Sequence, residues 1–127
     1  TVGYRIPPGS RPAELEAEVR RVTPREGLTL TVTVSGAEEP VRTARSSPLA
    51  QAFARAIAAE GGRVTFKAKS GTSDLNLLAP AWGCPMVAYG PGDSAYDHTP
   101  MERLVLDDYR RSIVILKTVL GALAAIP

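Results

Sequence analysis

Two short stretches of this sequence hold residue types that can do chemistry. The first is Ser70-Gly71-Thr72-Ser73-Asp74-Leu75-Asn76. Its small residues let the backbone come close to a ligand, and free N–H groups at the start of a following helix favour an anion. The same stretch also reads as an ordinary capping turn, with Ser73 or Asp74 closing the first turn of a short helix. The second is Tyr89-Gly90-Pro91-Gly92-Asp93, followed by Asp97-His98-Thr99-Pro100-Met101-Glu102. His98 is the only histidine in the chain. A neutral imidazole beside a carboxylate can bind a metal, with a hydrogen-bond acceptor setting its tautomer. The alternative is a solvated loop histidine, since zinc needs three or four convergent ligands and the carboxylates here are scattered. Cys84 is the only thiol. Its neighbours Trp82, Pro85, Met86 and Val87 point to a small buried hydrophobe, and as a nucleophile it would have only His98 for a base.

Each stretch follows a segment with strand character, which matters because ligands of open α/β sheets sit at the carboxyl ends of strands. Val2, Tyr4 and Ile6 alternate with Gly3 and Arg5, so Arg5 faces away from the apolar trio. Pro7, Pro8 and Gly9 stop that strand, Ser10 offers a cap, and Pro12 fits a first helical turn. Leu15, Val19 and Val22 give the helix one apolar stripe, expected to cover Val2, Tyr4 and Ile6, and Pro24 and Gly27 end it. Leu28, Leu30, Val32 and Val34 then alternate with Thr29, Thr31, Thr33 and Ser35, the pattern of a half-buried strand. Strand, helix and strand make half of an α/β sandwich, which wants partners to cover its edges.

Residues 36–46 read as a connector. Ser47 then caps a helix with Pro48 at its first position, Leu49, Phe53 and Ile57 on one face, and Gly61-Gly62 at its stop. Val64, Phe66 and Ala68 predict a strand, Leu75 to Ala79 a short helix, and Met86, Val87 and Ala88 a short buried strand. A final helix is expected from about Asp107 to Ala124. Alternating helices and strands predict an α/β fold, a partial, doubly wound and mostly parallel sheet.

The bulk properties narrow the function classes. The chain has 127 residues, 44% hydrophobic and 22% charged, a soluble globular composition. Its net charge of +2 comes from scattered basic residues, which argues against a nucleic-acid partner. A single cysteine fits a reducing cytoplasm. The apolar stretch from Ile113 to Ile126 carries Lys117 and is shorter than the roughly 20 residues that span a bilayer, so no membrane partner is expected. Thr1 opens the chain directly on a strand pattern without an initiator methionine or a signal peptide, the reading expected of a piece of a longer protein.

The ordered motifs resemble the C-terminal portion of a family of zinc amidohydrolases. That family contains acetylornithine and acetyl-lysine deacetylases, succinyl-diaminopimelate desuccinylases and related zinc carboxypeptidases. Gly71-Thr72-Ser73-Asp74 resembles its Gly-Thr-Ser-Asp loop. Tyr89-Gly90-Pro91-Gly92 with Asp97-His98-Thr99-Pro100-Met101-Glu102 resembles its Gly-Pro-Gly segment and terminal His-Thr-Pro-Asn-Glu motif, with Met101 in place of the usual asparagine. Tyr4-Arg5-Ile6-Pro7-Pro8-Gly9 resembles the arginine-bearing strand of its lid domain. The most similar subgroup comprises hydrolases that release lysine or ornithine from an acyl group or an amino-group carrier protein.

The resemblance implies a phosphorylase/hydrolase-like catalytic domain interrupted by a ferredoxin-like α/β lid, often used for dimerisation. Residues 1–35 would be the second half of the lid and residues 47–127 the C-terminal part of the catalytic domain. His98 would be a zinc ligand in an intact enzyme that holds two zinc ions, with cobalt as the alternative metal. Arg5, Gly71, Thr72, Ser73 and Asp74 would hold the α-carboxylate of an N-acyl amino acid or carrier-linked substrate, and Gly90 and Gly92 would line the pocket. The family's His-x-Asp pair, bridging carboxylate and Glu-Glu pair have no counterpart in this chain, so no general base is named and the chain alone is expected to be inactive and to self-associate as a homo-oligomer. The competing reading is a noncatalytic carboxylate-binding or dimerisation module. An aminopeptidase of the same broad fold is disfavoured by the carboxylate anchor at Arg5.

Overall fold

The computed structural model describes residues 1–22, 26–27, 29, 31–69 and 71–125. Among these residues there are four helices: α1 (Pro12–Val22), α2 (Pro48–Ala59), α3 (Leu75–Trp82) and α4 (Leu106–Ala124). None of the described helices is long and apolar enough to cross a membrane.

The expected partial, doubly wound parallel sheet with half of a ferredoxin-like lid is overturned. The described residues contain no strand, and the segments around Val2–Ile6, 31–35, Val64–Ala68 and Met86–Ala88 have no regular secondary structure. Alternation assigns side chains to faces, but a strand exists only when its N–H and C=O groups meet those of a neighbour. None of these segments supplies that ladder for another. Leu28 and Leu30 of the expected second strand, Pro24 as a helix stop, Ser70 at the head of the first loop and Ile126 at the chain's end lie outside the described residues.

The chain divides into two compact units, Thr1–Arg42 with Ala68–Cys84, and Thr43–Lys67 with Pro85–Pro127. In the first unit no described residue is buried. Helix α1 starts one turn after the Pro7-Pro8-Gly9 stop, and Arg11 rather than Ser10 precedes its first residue. The Glu14 carboxylate reaches back to accept from the Arg11 N–H at 3.2 Å, the returning half of a capping box. On the helix surface Arg20 pairs with Glu16 and Arg21 with Glu18. The expected burial of the first segment under α1 does not occur, since Val2 stays 75% exposed. Leu15 instead borders, with Tyr4, Arg5, Ile6 and Arg11, an open cleft of about 320 Å³. Helix α3 ends on Gly83 in the left-handed region, and Cys84 after it is exposed, not the buried hydrophobe expected. The turn carries the thiol past the last helical residue, away from any packed face.

The second unit contains every buried residue among those described. Ser47 caps α2 by accepting from the Ala50 N–H at 3.2 Å, and Pro48 takes the first position, where no N–H is needed. The helix ends in a Schellman motif: Gly62 N–H donates to Ile57 C=O at 2.9 Å and Gly61 N–H to Ala58 C=O at 3.0 Å. Gly61 takes φ +71°, which a β-carbon would oppose. Ala52, Phe53 and Ala56 of α2 pack on Ile115 and Val119 of α4, with Leu49, Ile57, Val87, Tyr89 and Leu123 at the margin. The small alanines let the helices approach, and Phe53 meets the Tyr89 ring at 4.9 Å between centroids. Each large side chain buried here contributes about 1.5–3 kcal/mol. Asp107 and Asp108 sit in the first turn of α4, where the helix dipole favours negative charge.

Candidate functional site

In the first unit, the loop leading into α3 is fixed by one side chain. Asn76 accepts from the Ser73 N–H at 3.1 Å through its carbonyl oxygen, and its amide donates to Glu39 C=O at 2.8 Å. The amide is suited to this because it carries both donors and an acceptor. The capping reading of the loop is therefore realised by Asn76, while the Asp74 side chain makes no cap hydrogen bond. Thr72 and Asp74 remain exposed on the turn.

Arg5 is brought to this loop from far away in sequence. A β-carbon built on Gly71 would lie 3.4 Å from Arg5 Nη1 and 4.0 Å from Lys69 Cε. The absence of a side chain at Gly71 thus keeps a guanidinium close to the loop backbone, with a second cationic side chain beside it. A planar fork of N–H donors and a glycine backbone suit a carboxylate approaching edge-on. Lys69 was not singled out from the sequence. Its signal is its place two residues before Gly71, out of phase with Val64, Phe66 and Ala68.

Gly90, Gly92 and His98 belong to the second unit. Gly90 and Gly92 have open space where a β-carbon would stand, and Gly92 has φ +106°. The loop after them is a run of tight turns, with Tyr96 N–H on Asp93 C=O at 3.0 Å and Thr99 N–H on Tyr96 C=O at 3.1 Å. His98 has φ +63°, the only positive value at a non-glycine among the described residues. The left-handed region is uncommon but accessible to histidine. Its backbone N–H donates to Glu102 Oε2 at 3.0 Å, so Glu102 pins the turn that presents the imidazole to solvent. Arg103 stacks 5.0 Å over the Tyr96 ring and closes the loop's base. Half-buried against Phe53, Tyr89 has its hydroxyl pushed up from the ordinary phenol range by desolvation.

Among the described residues no three His, Cys, Asp or Glu side chains are grouped to hold a metal ion. His98 with Glu102 is a single imidazole and a carboxylate already engaged by backbone, which does not fit a tetrahedral or bimetallic centre. The described residues therefore do not by themselves group a full ligand set for a metal.

Comparison with known proteins extends these observations. A "[LysW]-lysine hydrolase" of Deinococcus radiodurans is 44% identical over 123 residues, covering 97% of this chain and 33% of that protein. A "Putative [LysW]-lysine/[LysW]-ornithine hydrolase" of Pyrococcus abyssi is 53% identical over 79 residues, 62% of this chain and 23% of that protein. A "[LysW]-lysine/[LysW]-ornithine hydrolase" of Sulfurisphaera tokodaii is 36% identical over 70 residues, 55% of this chain and 20% of that protein. The chain thus spans about a third of the length of the Deinococcus relative and less of the others. The family model that matches it, Peptidase family M20/M25/M40, whose members are generally metal-dependent, aligns with residues 3–122. Matched over nearly its whole length, the chain belongs to Peptidase family M20/M25/M40.

Proposed function

We propose that this chain is the carboxylate-recognising part of a longer, metal-dependent amidohydrolase that releases lysine or ornithine from a carrier-protein-linked or N-acyl precursor. The observation that carries this reading is the approach of Arg5 Nη1 to Gly71, which joins two motifs that lie far apart in sequence. Arg5 and the Gly71–Asp74 turn bind and orient the α-carboxylate of the amino acid to be released. That leaves the acylated amino group pointing away from the guanidinium, toward the hydrolytic groups. In the second unit, Gly90 and Gly92 offer their backbone to substrate, and His98 supplies one metal ligand, the others coming from outside this chain. The metal is zinc, with cobalt as the alternative. Residues 1–35 form the second half of the lid, 36–46 the connector and 47–127 the C-terminal part of the catalytic domain. A single unpaired cysteine suits work in the cytoplasm.

Names carried by the relatives favour this reading over a noncatalytic binding module, which Arg5 and Gly71 would serve equally well. The test is a chimera in which residues 3–122 replace the matched third of the Deinococcus relative. The chimera should release lysine from a carrier-linked substrate, while the 127-residue chain alone should not. Arg5→Ala should raise KM by roughly 10- to 150-fold, the loss of a charge-assisted hydrogen-bonded pair worth roughly 1.5–3 kcal/mol. His98→Ala should abolish turnover and lower metal content. A folded chimera that hydrolyses nothing, or is indifferent to both substitutions, would reject the proposal.

A further inference from the structure

A second cation stands beside the proposed carboxylate anchor. Lys69 lies in the same compact unit as Arg5 and Gly71. Its Cε comes within 4.0 Å of the point where a Gly71 β-carbon would stand, and Arg5 Nη1 within 3.4 Å of that point. The ammonium is one bond beyond Cε, so two positive groups are held around one small space. Glycine leaves that space open to a carboxylate oxygen. Lys69 is exposed and forms no ion pair or hydrogen bond with the described residues. The lysine two residues earlier differs, since Lys67 Nζ donates to Ser94 Oγ at 3.4 Å. Like charges this close repel in the free protein, and an anion placed between them removes the repulsion.

We infer that Lys69 is a second donor to the carboxylate that Arg5 binds, and that it sets the preference for a free α-carboxylate over the corresponding amide. The inference rests on the reading of Arg5 and Gly71 as the carboxylate site and adds a specificity-determining residue to it. A carboxylate has two oxygens with about four lone-pair directions, so one group can accept from the guanidinium fork and the ammonium together. Lys69 brings a compact point charge on a flexible stem, which can follow the carboxylate once Arg5 has oriented it. The competing ligand for Lys69 is a second carboxylate on the acyl side of the substrate. The approach of both cations to one glycine favours the shared α-carboxylate, because a single group then meets both at one point.

The experiment titrates the isotope-labelled 127-residue chain at low ionic strength, where exposed charges are least screened. The probes are Nα-acetyl-L-lysine, its α-carboxamide and Nα-succinyl-L-lysinamide, and binding is read from amide chemical shifts. Acetyl-lysine should bind more tightly than its carboxamide and shift the amides of the Gly71–Asp74 turn. Lys69→Met should weaken acetyl-lysine about fivefold, the upper range for an exposed charge pair, and leave the carboxamide unchanged. Lys69→Arg should restore the preference, and Lys67→Met, which removes the same charge two residues away, should bind like the parent. Acid preference that survives Lys69→Met overturns the inference and leaves the Arg5 site standing. A loss confined to succinyl-lysinamide overturns it in favour of the acyl carboxylate, and an equal loss in Lys67→Met reduces it to net charge. A parent chain that does not prefer acid over amide overturns the inference together with the carboxylate site. The expected Lys69 effect beside a chimera that hydrolyses nothing leaves Lys69 as a carboxylate donor and sinks the hydrolase reading instead.

Discussion

Phe53→Ala is the most direct test of what holds the second unit together. Phe53 is 8% exposed, packs with Ala52, Ala56, Ile115 and Val119, and lies against the Tyr89 ring. Truncating a buried phenylalanine costs about 3–5 kcal/mol, part from lost transfer and part from the cavity left behind. The neighbours on α2 are alanines, which cannot extend to refill the space, so the upper half of that range applies. In a unit of this size each kcal/mol moves the melting temperature by about 4–8 °C, so the variant should melt at least 15 °C below the parent by ellipticity at 222 nm. Tyr89 supplies an independent readout. Its hydroxyl is held up by burial, so exposing it should bring its titration back toward the ordinary phenol range in ultraviolet difference spectra. A variant melting within about 4 °C of the parent, with an unmoved tyrosine titration, would show that the α2–α4 contact does not stabilise the unit.

Ser47→Ala removes the cap that accepts from Ala50 and should cost about 1 kcal/mol, a melting shift well below that of Phe53→Ala; an unchanged melt would mean the cap is replaced by water. In the chimera, Gly71→Ala should keep KM near the parent value, since its β-carbon only touches Arg5 Nη1. Gly71→Val drives methyl groups into the guanidinium and should raise KM on the order of tenfold. Equal Michaelis constants for the two would remove Gly71 from the carboxylate site. Glu18 is held below the usual carboxylate range by its hydrogen bonds from Arg21. A carboxylate lowered in the folded state adds stability above its unfolded pKa and loses it as pH falls through the folded value. Helicity of α1 should therefore decline in acid, weakly because the pair is exposed, and Glu18→Gln should flatten that decline. Superimposable acid titrations of the two proteins would refute it.

Local structure was legible wherever a signal and its partner lie within a few residues of each other. Ser47 with Pro48 fixed the start of α2, Gly61-Gly62 its end, and the 3.6-residue spacing of Leu49, Phe53 and Ile57 its packed face. Helix α4 was expected within one residue of where it begins. The loop motifs carried the family resemblance, which the comparison bears out. These features depend on i to i+3 and i to i+4 relations that the chain carries wherever it is placed.

Other features required tertiary placement. Alternation along Val2–Ile6 or Val64–Ala68 marked faces but could not supply neighbours for them, and the described residues form no ladder. Cys84 looked buried from its apolar neighbours, yet the left-handed turn at Gly83 puts it in solvent. Asn76 rather than Ser73 or Asp74 ties down the first loop, because its partner Glu39 C=O comes from a distant segment. The approach of Arg5 to Gly71 likewise has no trace in local sequence. The sequence alone determined the helices, the Ser47 cap of α2 and the family, because each rests on short-range bonding or on a motif. Only the tertiary structure decided which side chains meet, since contacts between distant segments depend on how the intervening chain is packed.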